Sequence, residues 1–123
     1  MPIPFDAKRF SYQMDPGDVV DFIFDATPAM EDTEAISSAW SITMSPEGAA
    51  VGLSIRTDGD YAPARIEAGK KLRFWLNVAA PQQQNSIFLG SGIDIAMTLR
   101  WTTNNVPPRT FERAAVVTVR QRG

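Results

Sequence analysis

Strict alternation of apolar and polar residues is the feature that most limits what this chain can become. In "KLRFWLNV" at 71–78, Leu72, Phe74, Leu76 and Val78 share one side, and Arg73, Trp75 and Asn77 share the other. A repeat of two puts successive side chains on opposite faces of an extended strand, whereas a helix would scatter them around its axis. The repeat recurs along the chain. In "VVDFIFD" at 19–25, Val20, Phe22 and Phe24 oppose Val19, Asp21 and Ile23. In "SAWSITM" at 38–44, Trp40, Ile42 and Met44 oppose Ser41 and Thr43, and Val51, Leu53 and Ile55 alternate in the same way. Two longer runs close the chain, one with Ile93, Ile95, Met97, Leu99 and Trp101 on a single face, the other with Phe111, Ala115, Val117 and Val119.

Turn chemistry separates these runs. "MDPGD" at 14–18 couples a proline with fixed φ to a glycine that tolerates positive φ, and "SPEG" at 45–48 reads as a tight turn. "RTDGDYAPA" at 56–64, "PQQQNS" at 81–86 and "TTNNVPP" at 102–108 read as loops. The polar connection at 26–36 has room for one helical turn at most. Six or seven short strands with almost no helix predict an all-β fold, an antiparallel two-sheet immunoglobulin-like sandwich, with a small barrel as the alternative. Its expected core is Trp40, Phe74, Leu76, Ile95, Met97, Leu99, Val117 and Val119. At 123 residues the chain suits one domain, expected at 14–123. Residues 1–13 read as an N-terminal arm and lead-in, since Pro2 and Pro4 oppose regular structure.

Composition narrows the chemistry. With no histidine and no cysteine, the chain cannot build the usual zinc sites or Ser-His and Cys-His nucleophile pairs. Lys8, Lys70 and Lys71 are the only lysines, and none sits in an S-x-x-K arrangement. "DGD" at 58–60 does not match a calcium loop, and Gly90-Ser91-Gly92 leads into a strand rather than a phosphate-binding helix. The expectation is no enzyme, no cofactor and no metal. A net charge of −2 gives no electrostatic case for nucleic acid. No stretch reaches the ~20 apolar residues of a membrane span, and the N-terminus lacks the apolar core of a signal peptide.

Surfaces remain. Between Asp15 and Glu34 lie seven acidic residues and no basic one, while from Arg100 onward five arginines face only Glu112. Such segments can attract each other within one chain or head-to-tail between copies, which makes Asp32, Glu34, Arg109 and Arg122 candidate interface residues. Pro4, Phe5, Lys8 and Arg9 on the arm are candidates to order against a neighbour. Tyr61 and Trp75 are candidates as exposed aromatic contacts, either in a protein interface or as the stacking platform of a carbohydrate-binding module.

Two stretches carry a family likeness. "DPGDVVDFIFDATPAMEDTEAISSAWSI" resembles the opening of small structural proteins encoded among the virion genes of tailed bacteriophages: a Asp-Pro turn, an aromatic-acidic strand, an acidic connection, then a tryptophan strand. "IDIAMTLRWTTNNVPPRTFERAAVVTV" resembles their ending, a strand running into Thr-Thr, a turn, an Arg and a closing V-x-V strand. The likeness, over residues 14–120, is to immunoglobulin-like adaptor or fibre-attachment proteins of phage tails. It implies a non-enzymatic role in a virion, assembled in the host cytoplasm from several symmetric copies, with other virion proteins as partners. A capsid decoration protein is the neighbouring alternative.

Overall fold

The alternating runs become strands because only an extended backbone puts every second side chain on a shared apolar layer. The computed structural model describes residues 7–121. Its strands are β1 (Lys8–Arg9), β2 (Val19–Asp25), β3 (Ile36–Met44), β4 (Leu53–Ile55), β5 (Ala64–Ile66), β6 (Lys71–Val78), β7 (Ile93–Thr103) and β8 (Thr110–Val119). They form two open sheets rather than a closed barrel. One sheet has the order β1-β8-β7-β3. In the other, β6 is central, with β2 along one side and β4 and β5 along the opposite side. The chain crosses between the layers from β1 through β4, then runs β4, β5 and β6 in one sheet and β7 and β8 in the other, a two-sheet sandwich.

The two inner faces make a single core. Phe74, Leu76, Ile95, Met97, Leu99, Val117 and Val119 are buried as expected, joined by Trp101, Phe88, Ile36 and Met14. Trp40 is the exception. It lies opposite Trp101 in the β3–β7 ladder, yet it is only half-buried, because β3 is the edge strand and a bulge between Ile36 and Trp40 lifts it outward. Trp101 takes the central place instead, stacked on Phe111 and tilted against Phe24.

Three local readings differ from the structure. "SPEG" is not a tight turn but the start of a short helix, α1 (Pro46–Ala50), capped by the Ser45 hydroxyl accepting from the Gly48 N–H at 3.2 Å. Gly48 lets that helix lie on the core, since a Cβ there would come within 2.6 Å of Met44 and Ile95. The sandwich is also not wholly antiparallel, because β1 runs parallel to β8, pairing Lys8 with Ala115 and Arg9 with Val116. Residues 8–14 thus join the sandwich rather than forming a free lead-in. Phe10 packs on Phe22 and Phe74, with ring centroids 4.9 and 6.0 Å apart.

Candidate interface at one end of the sandwich

Strand directions decide which loops meet. Ile36 pairs with Thr103 and Asp25 with Lys71, so the β2–β3, β5–β6 and β7–β8 connections gather at the same end. This brings Glu34 and Arg109 together within one chain, with Glu31 rather than Asp32 as the second acid. Arg109 reaches Glu31 at 2.8 Å and Glu34 at 3.3 Å.

Glu34 is the organising group. Sequence reading offers it as a surface acid, yet it is completely buried and not available to a neighbour. Its carboxylate accepts from the Glu31 N–H at 2.8 Å and from Asn105 Nδ2 at 2.9 Å, besides its ion pair with Arg109. A buried carboxylate is tolerated only where donors and a counter-charge replace water, and here all three are supplied by its own chain. The Glu34 carbonyl also accepts from Lys70 Nζ, which bonds the Asp32 carbonyl as well. Asp32 itself remains exposed.

These bonds fix the β7–β8 loop at both stems. Asn104 donates to the Ala35 carbonyl and accepts, through Oδ1, from the Ala35 N–H, each at 3.0 Å. Thr103 and Arg109 exchange backbone and hydroxyl hydrogen bonds at 2.8 and 3.0 Å. Above this base, the loop holds Val106 98% exposed, followed by exposed Pro107 and Pro108 across a cis Val106–Pro107 bond. An anchored loop with an apolar tip presents contact area without first having to order itself. At the base of the same end, Asp25 is held below its usual carboxylate range by the Thr27 hydroxyl and Thr27 N–H.

Beside the loops lies an open hollow of about 430 Å³, lined in part by Ser37, Arg65 and Asn104. Its floor is the β5–β6 turn, where Glu67 (φ 52°) and Ala68 (φ 58°) take left-handed conformations ahead of Gly69 (φ 79°). Such a turn favours Asn-Gly, so Glu-Ala carries strain.

The remaining candidates lie elsewhere. Lys8 and Arg9 are exposed on β1, with Arg9 bridged to Asp94 at 2.9 Å. Tyr61 and Trp75 do meet, on the outer face of the β6 sheet, but edge-on at 5.2 Å and 85°. Arg56 covers Tyr61 at 4.2 Å and is held by Asp58, so the pair does not form a flat stacking platform. Asp58, of the "DGD" turn, is thereby spent on Arg56, which keeps its carboxyl below the usual range. Among the described residues no acidic cluster has the makings of a metal site. Pro4, Phe5 and Arg122 lie outside the described residues. Sequence reading missed Asn105 and Val106, which it took only as loop; a proline pair after an exposed valine was the available signal.

No family model matches the chain, and no curated protein or solved structure is significantly similar to it.

Proposed function

We propose that the protein is a non-enzymatic structural component of a tailed-phage virion, an adaptor of the tail or fibre base that acts through protein–protein contacts. The observation that carries the reading is the loop end: Val106 stands almost wholly exposed on a loop whose two stems are clamped by the buried Glu34. A chain that buries a carboxylate to hold a surface loop rigid is using stability to present a shape, and presentation is what an adaptor does. The resemblance of residues 14–120 to phage adaptor proteins supports the same reading. In it, the partners are other virion proteins, the location is the assembled particle, and neither nucleic acid nor membrane is bound.

Purified particles from the producing host provide the test. Antibody against the chain should decorate the tail in immunogold electron micrographs, and Val106→Asp should abolish incorporation while leaving the thermal midpoint unchanged. Absence of the chain from purified particles would refute the proposal. Decoration confined to the capsid would favour a decoration protein instead. Glycan-array hits lost on Trp75→Ala would favour the carbohydrate-binding module, which the edge-on Tyr61–Trp75 geometry does not support.

A further inference from the structure

Strand β2 ends its sheet, and its hydrogen bonds show which of its backbone groups are used. Ala26 donates to the Lys70 carbonyl, and that pair continues the register in which Asp25 faces Lys71. Bonded pairs recur at every second residue of an antiparallel ladder, so Phe24, Phe22 and Val20 also exchange bonds with β6. The N–H and C=O groups of Val19, Asp21, Ile23 and Asp25 therefore point the other way. β6 agrees, since its Trp75 carbonyl accepts from Arg56 and its odd-numbered residues face β4 and β5. No described strand lies outside β2. On this flank β1 lies along the other sheet, with Phe10 packed on Phe22, whereas β5 bonds β3 through Arg65 on the far flank.

The same four residues share the outer face of the sheet. Val19 and Ile23 are each 43% exposed, and Asp21 and Asp25 alternate with them, also exposed. The cations of this face, Arg73 and Lys71, lie one strand further in, opposite Ile23 and Asp25. Lys71 is bridged to Glu67 at 3.2 Å, and Asp21 has no ion pair among the described residues. Over seven residues the edge thus offers unused ladder groups, branched apolar side chains and acids in strict alternation.

That alternation selects the partner. Residues opposed across a ladder share a face, so each acid of the edge meets the side chain opposite it. A second copy is the wrong occupant. Two-fold pairing of β2 with itself, centred at Asp21, Phe22 or Ile23, sets Asp21 against itself, diagonal to itself and Asp25, or against Asp25. Such like charges repel, and a charged edge keeps identical strands apart. We infer that β2 is a strand-addition site for an extended, basic segment of a partner protein. The segment lies antiparallel along Val19–Asp25, with Lys or Arg opposite Asp21 and Asp25 and branched apolar residues opposite Val19 and Ile23. It is a flank contact, separate from the Val106 loop, and it holds whether or not the partner belongs to a virion.

The probe is a synthetic hairpin closed by Asn-Gly, whose outer strand reads Lys-Thr-Val-Thr-Lys-Thr-Val. Bound to the full chain, it should slow amide exchange at Val19, Asp21 and Ile23. The amides of Val20, Phe22 and Phe24, already bonded to β6, should not change. Glutamate in place of both lysines should weaken binding about tenfold, and Asp21→Lys should reverse that order while leaving the thermal midpoint unchanged. Methylating the backbone nitrogens of the first valine and second lysine, which face β2, should abolish binding without touching the hairpin's own bonds. Binding that survives this methylation would overturn the inference, as would equal binding of the glutamate hairpin. So would protection that appears at Lys8 and Arg9 instead, or unchanged exchange at millimolar hairpin.

Discussion

The two lateral sides of the sandwich have the same architecture and opposite fates. On one, β1 pairs with β8, Met14 bridges to Val119, and Phe10 fits against Phe22 and Phe74. On the other, no described strand lies outside β3, and Trp40, Ile42 and Met44 are half-buried. The difference teaches that burial in a thin sandwich depends less on which face a residue occupies than on whether a strand lies outside it. Trp40 and Trp101 are direct cross-strand partners with side chains on the same face. The one on the inner strand is wholly buried and the one on the edge is not.

That pair offers the sharpest test. Trp101→Ala should cost about 3–5 kcal/mol in urea denaturation, the range for a large buried aromatic, and Trp40→Ala only about 1–2 kcal/mol. Equal losses would mean that the β3 side is closed in solution. Trp101→Phe should be milder than its lost volume implies, because the buried indole N–H has no hydrogen-bond partner among the described residues and its removal relieves that cost.

The loop end responds next. Glu34→Ala orphans the Glu31 N–H and Asn105 Nδ2 and should cost about 1–3 kcal/mol. Arg109, partly exposed, can rehydrate and adds little. Amide exchange should quicken across residues 103–109 while β6 stays protected. On the closed side, Phe10→Ala should cost about 1–2 kcal/mol, the share of a partly buried phenyl ring. Beside the open side, Ala68→Gly should stabilise the fold by about 0.5–1 kcal/mol, since glycine takes a φ of 58° without strain.

The smallest effect is a pH response confined to the closed side. Asp94 lies below its usual carboxylate range because the Thr118 hydroxyl and then Arg9 bond its ionised form. A depressed pKa contributes stability that is complete above the unfolded value, about 3.9, and is lost as pH falls through the folded one. Acid should therefore loosen β1 before β3, seen as faster exchange at the Phe10 amide, and Asp94→Asn should flatten that response.

Much of the sandwich was legible in the residues because a period of two is local. It needs no partner to be recognised, and Leu72, Phe74, Leu76 and Val78 fall inward as their spacing requires. Helix α1 was less legible, since proline, glutamate and glycine serve a turn or a first helical turn equally well. Only the space beside Met44 and Ile95 selects the helix. Strand β5 went unread, starting at the last residue of a proline-marked loop, because its three residues acquire meaning only from pairing with β6.

The candidate site divides in the same way. The sequence alone determined the faces of the strands, the excess of acid early and base late, and the lack of histidine and cysteine chemistry. Charge is a property of each residue, so the attraction of Arg109 for the acidic segment could be read before any fold was known. Tertiary structure alone decided that Glu34 is buried, that Asn105 and Arg109 converge on it, that Val106 is left at the tip, and that β1 lies outside β8 while no described strand lies outside β3. Each of these depends on where segments distant in sequence come to lie, and strand order, which sets those positions, is not encoded in the period of any one strand.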